Sequence, residues 1–267
     1  MNYLMKDLTM KFKLLASACI LGGFLLTSCS KDSNDNNNNN QTCKLTVTDG
    51  DSYDEIPNLN FEEWYTGKSA GLNAETYYNP SPAGFWATPN TGSGDLGIAK
   101  VPVTVFRVDS SESKEGYAAK LVTGEATLLG KRTITAGSIA SGKFEIDIND
   151  PLKSLAFGRK FTKKPKKVSG WYKYFPVLED SASAYCFVTK INKSTCKIDT
   201  LGFGRKIFYA KDSANTYQPF SFDVVYKDLN VTPDEIVIYF SSSEAGDEFK
   251  GQKGNTLYID EVHVDYY

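Results

Sequence analysis

From residue 56 onward the sequence is a succession of short strand-like runs separated by turn-forming clusters, with no convincing helical pattern. In the run 220–226, Phe220, Phe222 and Val224 alternate with Ser221 and Asp223. One buried face and one wet face are typical of an antiparallel sheet, so the pattern predicts an all-β antiparallel sandwich of the jelly-roll type. The predicted strands, rich in β-branched and aromatic residues, are 101–108, 117–123, 143–148, 168–175, 184–191, 203–209, 220–226, 235–242 and 256–265.

The run 168–175 divides into two rows when it is read with a period of two. Val168, Tyr172 and Tyr174 make the row that we expect in the core, and Trp171 and Lys173 lie on the opposite row. Lysine is rarely buried without a partner, so this second row is a candidate ligand surface. The alternative is an edge strand whose lysine covers its neighbours.

The N-terminus has the features of a bacterial lipoprotein signal, which we assign to residues 1–28. Lys6, Lys11 and Lys13 precede a short apolar run at 14–26, and Leu-Thr-Ser-Cys at 26–29 resembles a lipobox that makes Cys29 the lipidated residue. The alternatives are an ordinary secretory signal or a membrane-spanning helix, although the run is short for spanning. The Asn-rich stretch 29–50 is predicted to be a disordered tether, and 51–267 is predicted to be the folded domain.

Three cysteines follow Cys29, namely Cys43, Cys186 and Cys196. In an oxidising compartment Cys186 and Cys196 could join one hairpin, which would leave Cys43 unpaired in or near the tether. The sequence has no Cys-x-x-Cys pattern or Cys/His cluster, so it contains no zinc or redox motif.

Several motifs, taken in order, resemble one family. Asn-Leu-Asn-Phe-Glu-Glu-Trp at 58–64 and Thr-Leu-Tyr-Ile-Asp-Glu-Val-His-Val at 256–264 resemble the first and last strands of jelly-roll carbohydrate-binding modules. Between them stand Gly-Phe-Trp-Ala-Thr-Pro-Asn at 84–90 and Ser-Gly-Trp-Tyr-Lys-Tyr at 169–174. The series resembles the carbohydrate metabolism domain (PCMD) family of Bacteroidetes lipoproteins over about 58–267. The resemblance implies a jelly roll with a sugar pocket and no established reaction.

The resemblance also implies a structural calcium. In carbohydrate-binding modules it often joins a Glu of the first strand to an Asp of the last, and the matching residues here are Glu62 and Asp260. The alternatives are two solvated carboxylates or a capping pair of hydrogen bonds. No other cofactor is expected.

Saccharide recognition needs flat aromatic faces and fixed polar groups. Trp86 lies in a Gly/Pro/Asn loop, where we expect exposure, and Asn90 supplies an amide unless it only holds a turn. We predict that Trp86 lines one pocket together with Trp171 and Lys173. Arg107 is a further candidate for ligand binding, and the alternative for its side chain is pairing with a carboxylate.

The sequence indicates catalytic residues less clearly than it indicates binding residues. A glycosidase needs two carboxylates about 5–5.5 Å apart if retaining and about 6.5–9.5 Å apart if inverting. The single histidine, His263, lies in the last strand without a Gly-x-Ser-x-Gly motif, and we interpret it as structural. The candidate carboxylate pairs, none of them distinctive, are Glu62 with Glu63, Glu145 with Asp147, and Asp260 with Glu261.

The sequence therefore favours a lipid-anchored outer-membrane protein, exposed at the surface, that binds an oligo- or polysaccharide as an accessory to glycan use. A glycoside hydrolase of the same fold and an adhesion protein are the alternatives. The net charge of −2 gives no basic surface for nucleic acid.

Overall fold

The computed structural model describes Cys43 and residues 45–48, 50–71, 73–144 and 155–267. Three short 3₁₀ segments occur in these ranges, at Pro89–Gly92, Ala210–Asp212 and Gly246–Glu248, and β-strands supply the other regular structure. No helix in the described ranges has the length and apolar character needed to cross a bilayer. The predicted signal, Cys29, most of the tether and Glu145 with Asp147 lie outside the described residues.

Twenty strands follow one another in the described parts of the chain. In order they are β1 Trp64–Lys68, β2 Ala70–Gly71, β3 Thr76–Pro80, β4 Trp86–Ala87, β5 Gly94–Asp95, β6 Ala99–Val101, β7 Val105–Val108, β8 Ala118–Val122, β9 Gly124–Leu128, β10 Lys131–Thr135, β11 Ser138–Phe144, β12 Leu155–Phe157, β13 Arg159–Lys160, β14 Pro165–Phe175, β15 Ala182–Asn192, β16 Lys197–Phe208, β17 Ala214–Asp223, β18 Val225–Tyr226, β19 Glu235–Ser241 and β20 Thr256–Tyr266.

Two antiparallel sheets form the sandwich. The large sheet has the order β12-β11-β19-β15-β16-β18, with β13 paired to β19 and β4 paired to β11. The second sheet has the order β17-β14-β20-β8-β7. The hairpin β1-β3 and a small sheet of order β10-β9-β6-β5-β2 complete the described strands. The predicted all-β jelly-roll class is confirmed, and the sandwich leaves each main sheet with one outer face.

The core lies between the two main sheets and is built by period-two alternation. In β14 the row of Val168, Tyr172 and Tyr174 is buried, as predicted. The large sheet contributes Ile238 and Phe240 from β19 to the same cluster. Burial of each such side chain stabilises the fold by about 1.5–3 kcal/mol relative to exposure. Strand β14 pairs with β17 on one side and β20 on the other, so it is an interior strand.

The disulfide joins Cys43 to Cys196, so the predicted Cys186–Cys196 bridge is wrong. Cys186 points from β15 into the core and is a buried free thiol, whose pKa burial raises to about 12. Cys196 lies in the turn between β15 and β16, whereas Cys186 pairs with Gly204 further along the hairpin. The two cysteines therefore occupy different parts of the same hairpin.

The last part of the predicted tether is attached to the domain. The backbone N–H of Thr48 donates to Oε1 of Glu235, and Nζ of Lys193 donates to the carbonyl of Leu45. Together with the Cys43–Cys196 bridge, these contacts hold the chain against the large sheet from Cys43 onward. Residues 43–50, which we predicted as tether, thus begin the compact unit that runs from Cys43 to Tyr267.

Candidate functional site

Trp86 is in the core, and its predicted exposure is wrong. The side chain is 1% exposed, its Nε1–H donates to the carbonyl of Pro57 at 3.0 Å, and its ring packs on Phe61 and Phe85. The cause is the pairing of β4 with β11, which turns a loop-like sequence into the edge of the large sheet. Trp86 is therefore a structural residue.

Asn90 is also structural, because its amide is used entirely by the backbone around it. Its Oδ1 accepts the N–H groups of Thr104 and Val105 at 3.0 and 3.1 Å. Its Nδ2 donates to the carbonyls of Val105 and Tyr78 at 2.7 and 3.2 Å. With the side chain fully buried, no donor or acceptor remains for a ligand.

Trp171 and Lys173 lie on the outer face of the second sheet, beneath the β7–β8 loop (residues 109–117). Nζ of Lys173 donates to the carbonyl of Glu112 at 2.6 Å and lies 4.7 and 4.4 Å from the ring centroids of Tyr217 and Tyr258. Desolvation lowers the pKa of Lys173. This row is covered by its own chain and does not meet the buried Trp86, so the predicted shared pocket is wrong.

The β7–β8 loop is held on that face by further contacts. Lys114 places its Nζ 4.7 Å from the ring centroid of Trp171. Glu112 accepts the hydroxyl of Tyr258 at 2.7 Å, a hydrogen bond that lowers the pKa of the Glu112 carboxyl, and it pairs with Lys120 at 3.4 Å. The loop therefore occupies the surface that the sequence offered as a ligand site.

Arg107 is engaged by aromatic rings instead of a ligand. Its guanidinium lies 4.3 Å from the ring centroids of both Tyr78 and Tyr117. Such an arrangement is worth roughly 0.5–2 kcal/mol per ring, depending on how far it is desolvated. The residue joins β3 to the end of the β7–β8 loop.

Glu62 and Asp260, the predicted calcium ligands, both bind backbone N–H groups of that loop. Oδ2 of Asp260 accepts the N–H of Lys114 at 2.7 Å and that of Glu115 at 3.2 Å, and Oδ1 accepts the N–H of Glu261 at 2.8 Å. Glu62 accepts the N–H of Tyr117 at 2.9 Å. Burial raises the pKa of Asp260 to about 6, although the hydrogen bonds from these N–H groups act to lower it.

This arrangement fits a hydrogen-bonded clamp better than a calcium site. Calcium takes six to eight oxygen ligands, whereas both oxygens of Asp260 and one of Glu62 face N–H donors. In the described part of the chain, no three or more acidic, His or Cys residues are grouped to hold a metal. The residues as placed therefore do not fit the ion, and elemental analysis of the purified protein would test the expected calcium.

His263 is exposed on β20, with Nε2 3.2 Å from Oδ1 of Asp265. It faces solvent beside its own strand neighbour and has no hydroxyl nucleophile among its described hydrogen-bond partners. His263 therefore lies at the surface, and the interpretation that it is structural stays a prediction.

The outer face of the large sheet carries a continuous set of aromatic rings, which we call the aromatic face. On β15 the small residues Ala184 and Cys186 point into the core, so that Tyr185 and Phe187 point outward. Register then sets Phe203 of β16 beside Phe187, and Tyr239 of β19 beside Tyr185. The aromatic face consists of Phe157, Tyr185, Phe187, Phe203 and Tyr239.

Four rings of the aromatic face lie nearly parallel and form what we call its floor. The fifth ring, Phe157, stands upright beside them. Tyr185 is 5.8 Å from Phe187 at an interplanar angle of 13°, and Phe187 is 5.0 Å from Phe203 at 32°. Tyr239 is 6.2 Å from Tyr185 at 32°, while Phe157 stands at 83° to Tyr239. Nearly parallel rings beside an upright ring form a flat apolar arrangement of the kind that a pyranose ring stacks on, in which Phe187 is only 8% exposed and Tyr185 and Tyr239 are half-buried.

Charged and polar groups surround these rings. The hydroxyl of Tyr185 donates to Oε1 of Glu244 at 3.5 Å, and Arg205 is its register partner on β16. The pKa of Tyr185 is raised mainly by burial and then by Glu244, while Arg205 opposes the rise. Burial also raises the pKa of Tyr239 to about 12, with Asp247 adding to the rise. Both phenols therefore stay protonated donors at neutral pH.

The sequence contained a signal for this face that the prediction did not use. The run Ala-Ser-Ala-Tyr-Cys-Phe-Val-Thr at 182–189 sets small and aliphatic residues against Tyr185 and Phe187. What the sequence does not contain is the register that adds Phe203 and Tyr239, because those pairings join strands distant along the chain.

Comparison with known proteins places this chain in a family. Residues 60–265 match the family described as "Putative carbohydrate metabolism domain" (PCMD). A solved structure described as a "putative glycoside hydrolase" from Bacteroides thetaiotaomicron VPI-5482 is 22% identical with a TM-score of 0.61, covering 78% of this chain and 70% of that one. Another so described, from Bacteroides vulgatus ATCC 8482, is 19% identical with a TM-score of 0.58, covering 78% and 97%.

At these identities the two structures show likeness of fold alone. No curated protein matches the chain. The family match, in contrast, begins just before β1 and covers all of the described strands except the last residue of β20. The chain therefore belongs to the PCMD family of carbohydrate metabolism domains.

Proposed function

We propose that this protein binds an oligo- or polysaccharide on the aromatic face. The observation that carries the proposal is the contiguous floor of Phe203, Phe187, Tyr185 and Tyr239 with phenol, guanidinium and carboxylate groups beside it. Flat rings take the C–H face of a sugar, and fixed polar groups at their edge take its hydroxyls. Membership of a carbohydrate metabolism family supports this ligand class.

Binding is tested by titration of a panel of soluble polysaccharides and oligosaccharides against the domain 43–267. Tyr185→Ala is expected to weaken binding by about tenfold or more, since a loss of about 1.4 kcal/mol changes affinity tenfold. Tyr209→Ala is the matched control, because Tyr209 is 50% exposed and lies outside the aromatic face. Equal affinity of both variants, with unchanged melting temperatures, would place the site elsewhere.

Hydrolysis is the second candidate function, because Oε1 of Glu244 lies 3.5 Å from the Tyr185 hydroxyl and the charge of Asp247 raises the pKa of both Tyr185 and Tyr239. Two carboxylates beside a sugar platform are what a glycosidase requires. A reducing-sugar assay on each glycan that binds decides between the two activities. Turnover that is abolished by Glu244→Gln or Asp247→Asn supports an enzyme, while binding without turnover supports an accessory module.

We propose further that lipid on Cys29 anchors the protein to the outer membrane, exposed at the cell surface, in the service of polysaccharide use. The support is the apolar run 14–26, the lipobox-like residues 26–29 and the polar tether that follows. Mass spectrometry of the native protein should find diacylglycerol on Cys29, and Cys29→Ser should release the protein from membranes. Protease added to intact cells should remove the domain if it faces outward.

A further inference from the structure

We infer that the site on the aromatic face takes acidic saccharides, and that Arg205 binds the carboxylate of a uronic acid unit. This rests on the proposed function and specifies its ligand. Arg205 is half-buried on β16, in register with Tyr185, and its charge acts on the Tyr185 phenol. In the parts of the chain that the structure describes, no hydrogen bond or ion pair engages its guanidinium.

The other three arginines are each engaged. Arg107 lies between two tyrosine rings, Arg132 pairs with Glu125 at 3.7 Å, and Arg159 donates to the carbonyl of Gly142. A partly desolvated guanidinium gains most from a carboxylate, which it can bind through two parallel hydrogen bonds. Arg205 thus differs from the others in having this capacity available beside the aromatic floor.

A second, independent observation indicates a ligand at the same place. Ser183 lies on the outward row of β15, two residues before Tyr185, and register sets it beside Ser241 of β19. Its hydroxyl is fully buried and has no hydrogen-bond partner among the described residues. A buried polar group is normally satisfied, so this hydroxyl is available for a bound hydroxyl or an ordered water.

The negative charges near the site lie on the other side of β15. Glu244 and Asp247 belong to the segment after β19, whereas Arg205 belongs to β16, and β19 and β16 flank β15 on opposite sides. A sugar ring stacked on Tyr185 can therefore direct its carboxylate toward β16 and its hydroxyls toward Glu244 and the serines. Charge is separated across the site in a way that orients an acidic sugar.

The test uses matched ligands that differ only in charge. Uronate-containing polysaccharides are compared with their carboxyl-reduced forms, in which each carboxylate has become a neutral hydroxymethyl group. The domain 43–267 is expected to bind an acidic form about tenfold more tightly than its reduced form at low ionic strength. This preference is expected to shrink as salt is added, because salt screens a half-exposed ion pair.

Variants at Arg205 test whether this residue causes the preference for the acidic saccharide. Arg205→Ala should weaken binding of the acidic form by about tenfold more than binding of the reduced form, and so remove the preference. Arg205→Lys should retain part of it. Arg132→Ala is the control, since that side chain is 75% exposed in a separate sheet. Equal affinity of the native domain for both forms would overturn the inference and leave saccharide binding intact, as would equal weakening of both forms by Arg205→Ala. Failure of both forms to bind, with neutral glycans also silent, would overturn the proposed function itself.

Discussion

Oδ2 of Asp260 accepts the backbone N–H of Lys114 at 2.7 Å, so a carboxylate of the last strand holds a loop 146 residues earlier in the chain. The same oxygen accepts the N–H of Glu115, and the side chain is fully buried. Burial nonetheless dominates and raises the pKa of Asp260 to about 6 from 3.8. The folded protein therefore binds a proton at Asp260 more tightly than the unfolded chain does.

The sign of the resulting pH dependence follows from linkage. Between about pH 4 and pH 6 the folded state holds more protons at this site, so the contribution of Asp260 to stability falls as pH rises. The fall is at most about 3 kcal/mol, because one pKa unit corresponds to about 1.4 kcal/mol. Urea unfolding of the native domain and of Asp260→Asn across this pH range isolates the contribution of the Asp260 carboxyl. A difference between the two that does not change with pH would show that Asp260 does not titrate there.

The Cys43–Cys196 bridge should contribute strongly to stability, since it closes a loop with a sequence separation of 153. Removal of such a cross-link typically costs about 2–4 kcal/mol. Cys43→Ser and Cys196→Ser should therefore lower the melting temperature equally, and a reducing agent should then have no further effect on either variant.

Thiol counting gives an independent check on the same bridge. The unreduced domain 43–267 should show no reactive thiol when folded and a single one, that of Cys186, in denaturant. Two reactive thiols at Cys43 and Cys186 would instead support another pairing or none.

Trp86→Ala should destabilise the domain severely, in contrast to Trp171→Ala. Trp86 is almost fully buried against Phe61 and Phe85, and truncation of such a ring typically costs about 3–5 kcal/mol. Trp171 is half-buried beneath Lys114, so its loss should cost less. Chemical unfolding of both variants measures the difference, and comparable losses would mean that Trp171 is equally part of the core.

Metal removal should leave the domain unchanged, because Glu62 and Asp260 direct oxygens at backbone N–H groups. We expect the melting temperature to be the same with a chelator and with added calcium. Elemental analysis of protein purified without chelator provides the second measurement. One equivalent of retained calcium, or a clear rise in melting temperature on its addition, would contradict this expectation.

The strands and their buried faces were predictable because alternation is local. Val168, Tyr172 and Tyr174 could be assigned to the core from a run of eight residues. The predictions that failed depend on contacts between distant residues. Trp86 is buried because β4 pairs with β11, and the composition of the residues around Trp86 does not reveal that pairing. Likewise Lys173 is covered by a loop whose position depends on Asp260.

The position of the disulfide determines how force would reach the domain. A pull on the chain before Cys43 passes through the two sulfur atoms to Cys196, at the turn of the hairpin formed by β15 and β16. Residues between Cys43 and the first strand then bear little tension, so the domain cannot be peeled open from its N-terminal end. The load enters instead through the long β15–β16 ladder, whose strands also carry Tyr185 and Arg205. Tension and ligand would thus act on the same pair of strands.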